Sequence, residues 1–373
     1  MIIFLVSASL ASDITVAAVV PAPPKVKATS YLVMDHHSGR MLVAENIDKR
    51  VEPASLTKMM TAYVAASELA AGNISLDDMV VVSEKAWRMQ GSRMFIEVNT
   101  EVSVNDLLKG IIIQSGNDAS IALAEHIAGS EEVFVEIMNQ HAEKLSMTGT
   151  KFMNTTGLPD AKHYTTARDM ATLAAALIRD HPEIYAWHAI REFTYNGIRQ
   201  QNRNSMLWRD EGVDGVKTGH TDSAGFCLVT SAKRGDTRLV SVVMGSDGEK
   251  ARLRTTQAIM NYSFRYYETH KLYSADEIIT TRKVWKGNSE AIGLGVVNDL
   301  YITIPRGKYK LLDASIELGE SIIAPVDKGD IQGNLRVILE GKELINKPLV
   351  ALQSIDEGSI FVRFKDGIML LLE

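Results

Sequence analysis

Three short motifs, far apart along the chain, constrain the fold more than any other feature of this sequence. They are Ser55-Leu56-Thr57-Lys58, Ser115-Gly116-Asn117 and Lys217-Thr218-Gly219. Serine and lysine in these patterns are typical of a serine acyl-transfer site, where a hydroxyl attacks a carbonyl after a nearby base removes its proton. The sequence therefore predicts a fold that gathers all three motifs around one cleft.

The first motif supplies a candidate nucleophile and base. Ser55 and Lys58 lie three residues apart at the start of a predicted helix, so their side chains project from one face and can meet. Burial and a nearby cation such as Lys217 would lower the pKa of Lys58 enough for it to act as the base. Ser55 would also donate its backbone N–H to an oxyanion. Alternatively, Ser55 is a helix N-cap and Lys58 a solvated side chain.

The second motif is ambiguous by itself. Ser115 followed by Asp118 has the form of a helix capping box, and Ser103-Val104-Asn105 repeats the S-x-N pattern directly before another predicted helix. Ser115 and Asn117, however, occupy a break between two predicted helices. Such a break can project a hydroxyl and an amide into a shared pocket, which favours these two residues as functional.

The third motif is the most specific. A strand carrying Lys217 and Thr218 offers backbone groups to an extended peptide, and a cation and a hydroxyl to its carboxylate. Gly219 permits close approach, and His220 would contribute its backbone N–H as a second oxyanion donor. The alternative is an exposed turn lysine. Because no ligand spacing such as His-Glu-x-x-His occurs, we expect neither a metal nor a cofactor.

The order of patterns predicts an α+β fold, with helices packed on one antiparallel sheet and a small all-β domain after it. A hairpin at 31–44 precedes helix patterns, apolar strands at 225–233 and 237–245 precede a helix at 250–268, and short alternating strands follow residue 275. The predicted divisions are a signal peptide (1–18), a Pro-rich linker (19–28), a catalytic domain (29–272), a β-rich domain (273–357) and a terminal amphipathic segment (358–373).

The two ends suggest membrane-related roles. Apolar residues 2–11 and the small residues before Pro21 resemble a secretory signal peptide, cleaved after Ala11 or Ala18. The terminal segment has an apolar helical stripe that fits a membrane surface, although a docked helix or strand fits equally well. The net charge of -6 gives no reason to expect nucleic acid, and the single cysteine, Cys227, lies in an apolar run typical of a buried thiol.

Longer runs around these motifs resemble the low-molecular-mass penicillin-binding proteins of the D-alanyl-D-alanine carboxypeptidase type. The resemblance extends from about Tyr31 to the C-terminus. The runs that carry it are 53–61, 113–118, 166–170, 202–204 and 214–221.

This resemblance implies a transpeptidase/β-lactamase-like catalytic domain followed by a β-rich domain. Ser55 would be acylated, Lys58 would be the base, Ser115 would relay the proton and Asn117 would bind the substrate amide. Lys217 and Thr218 would hold the terminal carboxylate, supported by the cations Arg203 and Arg252.

The implied enzyme is a serine carboxypeptidase that removes the terminal D-alanine from peptidoglycan stem peptides ending in D-Ala-D-Ala. It would act through an acyl-enzyme in the periplasm, with β-lactams as covalent inhibitors and possible peripheral contact with the inner membrane. A class A β-lactamase is an alternative, but the E-x-x-L-N loop of such enzymes is not found after Ser115. A penicillin-binding sensor or a cell-wall-binding module without turnover is a further alternative.

Overall fold

The structure is a computed structural model that describes residues 20–319 and 321–372. The signal peptide predicted at residues 1–18 lies outside the described residues. The α-helices are α1 (Lys58–Ala70), α2 (Glu84–Trp87), α3 (Val104–Lys109), α4 (Asn117–Ala128), α5 (Glu131–Lys144), α6 (Ala167–Asp180), α7 (Pro182–Tyr185), α8 (Glu249–Tyr266) and α9 (Ile360–Leu370).

The strands up to the last long helix are β1 (Ser30–Asp35), β2 (Met41–Glu45), β3 (Met79–Val81), β4 (Glu101–Ser103), β5 (Glu192–Tyr195), β6 (Ile198–Gln201), β7 (Val213–Thr221), β8 (Gly225–Arg234) and β9 (Thr237–Ser246). The strands after it are β10 (Tyr267–Tyr273), β11 (Thr280–Trp285), β12 (Ala291–Gly295), β13 (Leu300–Pro305), β14 (Leu312–Leu318), β15 (Ile322–Ile323), β16 (Ile331–Leu339) and β17 (Lys342–Ala351).

An antiparallel sheet in the order β2-β1-β9-β8-β7 forms the centre of the first domain. Alternate side chains of β1 enter different cores: Leu32 packs with residues of α1 and α6, whereas Val33 packs with residues of α8. Helices thus cover both faces, which explains the nearly continuous apolar runs of β8 and β9. Cys227 on β8 is fully buried, as predicted.

Two helix limits differ from the prediction, and α3 continues into a π-helical turn (Gly110–Gln114). The helix expected from Ser55 begins as a 3₁₀ turn (Ala54–Thr57). The helix expected to reach Glu268 ends at Tyr266, because Tyr267 is extended and starts β10, which pairs with β13. Strand pairing therefore competes successfully with the helical pattern at this point.

The C-terminal domain is built almost entirely of strands. A sheet in the order β14-β16-β17-β12-β11-β15 surrounds its own apolar core, which includes Leu294, Leu335 and Leu349. The expected fold class, an α+β catalytic domain followed by a small all-β domain, is confirmed. The predicted limit at residue 272 falls inside β10.

One buried carboxylate joins the two domains. Asp35, at the end of β1, has no exposed surface, and its Oδ1 accepts hydrogen bonds from the backbone N–H and the hydroxyl of Ser38 at 2.8 and 2.9 Å. Its Oδ2 accepts one from the Thr269 hydroxyl on β10 at 2.6 Å. Ser38 and Thr269 both contact the hydroxyl of Thr303 on β13. This network fixes the β1–β2 turn against two strands of the C-terminal part.

The terminal segment forms helix α9, which leaves most of its apolar side chains in solvent. Ile360, Phe361 and Phe364 are 75%, 88% and 72% exposed. The backbone N–H of Lys286 donates to the Asp366 carboxylate on this helix at 2.6 Å. Within the part of the chain that the structure describes, no helix combines the length and apolar character needed to span a bilayer.

Candidate active site

A cleft of about 980 Å³ brings the three motifs together. Seven of the ten predicted site residues line it: Ser55, Ser115, Arg203, Thr218, Gly219, His220 and Arg252. The remaining three, Lys58, Asn117 and Lys217, are buried next to these residues, with 1%, 4% and 3% of their surface exposed. The fold thus gathers segments from α1, α4 and β7 at one place.

Ser55 and Lys58 are in contact at the start of α1. The Lys58 Nζ lies 3.3 Å from the Ser55 Oγ and donates to the backbone carbonyl of Thr156 at 2.6 Å. Ser55 does not act as a helix cap, and Lys58 is buried, so the alternative of a cap with a solvated lysine is wrong. With one N–H directed to Thr156, a neutral amine can turn its lone pair toward the serine hydroxyl.

The environment of Lys58 favours its neutral form. Burial, and then the positive charge of Arg203, lower the pKa of Lys58 to about 7, while the Asp118 carboxylate acts in the opposite direction. A substantial fraction of Lys58 is therefore neutral near pH 7. This is the property that a lysine base requires.

Lys217 lies among cations rather than in solvent, so the exposed-turn alternative is also wrong. Burial, together with the charges of Lys58, Arg203 and Arg252, holds the pKa of Lys217 well below its usual value. An entering carboxylate would offset these charges and favour the protonated lysine. The surroundings of Lys217 therefore suit an anionic group of a ligand.

Ser115 occupies the break between the π-helical turn and α4, with a left-handed φ of 68°. The N-cap of α4 is Gly116, without a side-chain cap, so the capping-box alternative for Ser115 is wrong. The Ser115 hydroxyl is buried and has no hydrogen-bond partner within the described residues. Ser103, by contrast, caps α3 by accepting from the Asp106 N–H at 3.1 Å. Of the two S-x-N matches, only Ser115 thus keeps its hydroxyl uncommitted.

Asn117 and Asp118 fix the segment 90–96 over the start of α4. The Asn117 side-chain N–H donates to the Gln90 carbonyl, and its backbone N–H donates to the Ser92 carbonyl at 2.7 Å. Asp118 accepts from the backbone N–H groups of Met94 and Phe95 at 3.0 and 2.9 Å. This segment contributes Ser92 to the cleft wall, which the sequence did not predict.

Gly219 lies where β7 passes the Ser55 turn. A Cβ at this position would lie 3.1 Å from the Pro53 carbonyl oxygen and 3.2 Å from the Ser55 backbone nitrogen. Glycine therefore allows β7 to pass close to the Ser55 turn. His220 follows on the same strand, and its ring centroid lies 4.0 Å from that of Phe226.

Residues 154–157 also pack against the Ser55 turn, on which β7 packs as well. The sequence analysis did not predict this contact. Asn154 accepts hydrogen bonds from the N–H groups of Thr156 and Gly157 at 3.2 and 2.7 Å. Gly157 has a φ of +86°, and a Cβ there would lie 1.8 Å from the Ala54 carbonyl oxygen. The Asn-Thr-Thr-Gly string is a turn signal that local patterns can detect, but its contact with Lys58 is not visible in them.

Glu131, at the start of α5, forms hydrogen bonds with the loop 154–157. Its Oε1 accepts from the backbone N–H and the hydroxyl of Thr155, each at 3.1 Å. Lys85 pairs with Glu131 at 3.0 Å and with the neighbouring Glu132 at 3.2 Å. Glu131 is therefore linked to Lys58 through Thr155 and the Thr156 carbonyl.

The two predicted supporting cations both line the cleft. The Arg203 Nε donates to the Gln114 carbonyl at 3.0 Å, and Arg252 donates to the Cys227 carbonyl at 3.2 Å. Arg252 also pairs with Glu249 at 3.6 Å. Among the residues that the structure describes, no group of three or more His, Cys, Asp or Glu side chains is arranged to hold a metal ion.

Comparisons with known proteins agree with this geometry. A family model described as "D-alanyl-D-alanine carboxypeptidase" matches residues 17–248, and one described as "Penicillin-binding protein 5, C-terminal domain" matches residues 267–357. D-alanyl-D-alanine carboxypeptidase DacC of Escherichia coli (strain K12) is 44% identical over 355 residues, covering 93% of this chain and 89% of the relative.

Solved structures show the same likeness. Penicillin binding protein 5 from Haemophilus influenzae has a TM-score of 0.87 and 42% identity, covering 90% of this chain and 100% of that chain. The ampicillin-bound penicillin-binding protein D2 from Listeria monocytogenes has a TM-score of 0.61 and 29% identity, covering 65% of this chain and 100% of that chain. This chain therefore belongs to the D-alanyl-D-alanine carboxypeptidase family of serine peptidases.

Proposed function

We propose that this chain removes the terminal D-alanine from peptidoglycan pentapeptides through an acyl-enzyme on Ser55. The observation that carries the proposal is the 3.3 Å contact between the Lys58 amine and the Ser55 hydroxyl, in a cleft lined by all three motifs. Membership of the carboxypeptidase family supports the substrate class.

The acylation step uses Lys58 as the base. Neutral Lys58 takes the Ser55 proton as the Ser55 Oγ attacks the carbonyl of the penultimate D-alanine. The C–N bond to the last residue then breaks, and the proton passes through Ser115 to the leaving amine. Water then attacks the resulting ester, and Lys58 takes a proton from this water and returns it to the Ser55 Oγ as the shortened peptide is released.

The remaining predicted residues bind the substrate. Lys217 and Thr218 hold the terminal carboxylate, with Arg203 and Arg252 as supporting charges, and Asn117 binds the substrate amide. The backbone N–H groups of Ser55 and His220 stabilise the oxyanion, and Gly219 keeps the two segments close enough to share it. The same positions would hold the carboxylate and carbonyl of a β-lactam, which would acylate Ser55.

A β-lactamase or a sensor without turnover has less support. The full-length relative reported above carries the carboxypeptidase name, and no E-x-x-L-N loop is found after Ser115. Long-lived penicillin adducts combined with D-alanine release would favour the carboxypeptidase over both.

We propose further that the enzyme works in the periplasm, exported by residues 1–18, and serves peptidoglycan biosynthesis and cell shape. Within this proposal, residues 29–272 form the catalytic domain after the 19–28 linker, and residues 273–357 form a domain that positions it. Residues 358–373 attach it to the inner membrane surface. The exposed apolar side chains of α9 support this attachment.

Replacing Ser55 with alanine should abolish D-alanine release from a D-Ala-D-Ala pentapeptide and prevent any penicillin adduct, because the nucleophile is lost. Ser103→Ala is the matched control: it removes a helix-capping hydroxyl outside the cleft, so it should cost about 1 kcal/mol of stability and leave turnover intact. Free D-alanine and the mass of the adduct are the measurements. D-alanine release by Ser55→Ala at the wild-type rate would refute the proposal.

The rate of Ser55 acylation should rise with pH through a midpoint near 7. Since the pKa of Lys58 is lowered to about 7, the amine is protonated and inactive below this pH and neutral above it. The second-order rate constant of penicillin acylation, measured from about pH 5.5 to about pH 8.5, tests this. A rate that is flat or falls over this range would show that neutral Lys58 is not the base.

Glu131→Ala should slow acylation at least about tenfold, because the loop that presents the Thr156 carbonyl to Lys58 loses two hydrogen bonds. Glu131→Gln keeps an acceptor oxygen and should recover most of the rate. Glu132→Ala breaks the other ion pair of Lys85 at a side chain that is 76% exposed, and should be neutral.

The readout for Glu131 is the pH profile of acylation. Water reaching Lys58 would raise its pKa toward the usual value, so the midpoint of Glu131→Ala should move to higher pH. Equal effects of the Glu131 and Glu132 variants would contradict this role.

Introducing glutamate at both Phe361 and Phe364 should abolish co-sedimentation with vesicles of phosphatidylglycerol and phosphatidylethanolamine. The two rings are the largest side chains in the exposed apolar surface of α9 that would enter the lipid boundary. The matched control places glutamate at Ile323 and Ile331, exposed apolar positions of the C-terminal sheet. If both double variants sediment like the wild type, α9 is not the attachment site.

A further inference from the structure

We propose that Trp208 and Arg209 form a subsite for a carboxylate on the side chain of a peptide residue upstream of the D-Ala-D-Ala terminus. The proposal rests on the proposed function and specifies which stem peptides the enzyme prefers. Both residues line the active cleft, and neither belongs to the three motifs.

The turn that carries the subsite is firmly attached to β7. Ser205–Trp208 form a 3₁₀ turn, preceded by Asn204, which accepts from the Met206 N–H at 3.2 Å and donates to the Gly215 carbonyl at 3.0 Å. The Arg191 guanidinium donates to the Leu207 carbonyl at 2.8 Å. Because Gly215 lies on the same strand as Lys217, the turn has a fixed position relative to the proposed carboxylate site.

Arg209 brings a positive charge to the cleft that the protein does not neutralise. The adjacent Asp210 is already paired with Arg234 at 2.6 Å and accepts from the Gly212 N–H at 3.0 Å. Glu249, the carboxylate in the cleft lining, pairs with Arg252. Over residues 20–319 and 321–372, the Arg209 guanidinium has no ion pair.

Arg209 ends the turn Ser205–Trp208 in the cleft wall, whereas the cations that lower the pKa of Lys217 are Lys58, Arg203 and Arg252. The terminal carboxylate of the substrate would occupy the Lys217 cluster. Arg209 is then available to pair with a second anionic group, which a peptide can supply from an acidic side chain.

Trp208 defines the shape of this second group. Its side chain is 46% exposed, and the Arg191 guanidinium carbon lies 5.9 Å from its ring centroid. An exposed indole followed in sequence by the cleft-lining Arg209 suits a chain of methylenes that ends in a carboxylate, since the chain can pack on the ring while the oxygens pair with the Arg209 guanidinium. The preferred side chain is therefore long and acidic, rather than one ending in an amine.

The test compares D-Ala-D-Ala peptides that differ only at the residue before this dipeptide, whose side chain ends in a carboxylate, a carboxamide or an amine. With the full chain, Arg209→Ala should raise KM for the carboxylate peptide about twofold to fivefold, the range for an exposed ion pair, with little change in kcat. KM for the carboxamide peptide should not change. Arg209→Lys should recover part of the difference, because it restores charge without the planar fork.

Arg254→Ala is the matched control, since Arg254 is an exposed arginine on α8 outside the cleft lining. It removes the same charge and should leave KM for every peptide unchanged. An equal KM increase for carboxylate and carboxamide peptides, or no increase for either, would overturn the subsite. Penicillin acylation of each variant reports that the cleft is folded. Failure of the wild type to release D-alanine from any peptide would instead refute the proposed function.

Discussion

The burial of two lysines under one cleft is the constraint around which this site is organised. Ammonium groups are costly to bury, the charge of Lys58 disfavours that of Lys217, and the charge of Arg203 disfavours both. The cost falls if Lys58 gives up its proton, which makes it a base, and if a ligand brings a carboxylate to Lys217. Burial and the repulsion between these cations thus favour both the chemistry and the anionic substrate of the proposed mechanism.

Close backbone packing keeps these charges in place. The turn that carries Ser55 is enclosed by β7 on one side and the 154–157 loop on the other, and each contact requires a glycine, Gly219 or Gly157. Ala54, between them, has a positive φ of 47°, which is unfavourable for a residue with a Cβ. The two flanking segments and the apolar cores on both faces of the sheet must therefore overcome local strain to hold the nucleophile.

Sequence reasoning succeeded where the signal is local. The β1–β2 hairpin, β8 and β9 follow from short-range patterns, and the position of Ser115 in a helix break separated it from Ser103. It failed where the structure depends on contacts between segments that are distant in sequence. The early end of α8 depends on pairing between β10 and β13. The link from Glu131 to Lys58 joins α5, the loop 154–157 and α1. Arg209 belongs to no motif. Its lack of an ion pair within the described residues is visible only in the structure, where Asp210 and Glu249 pair with other arginines.

The hydrogen-bond network around Asp35 limits how the two domains can move. Asp35 is fully buried, and its donors Ser38 and Thr269 both contact the Thr303 hydroxyl on β13, so rotation of the β-rich domain would break this network. The β-rich domain then keeps a fixed orientation relative to the catalytic domain. If α9 lies on the membrane surface, the rigid arrangement of the two domains fixes the distance between the active-site cleft and the membrane. Only peptidoglycan stem peptides at that distance would then reach Ser55.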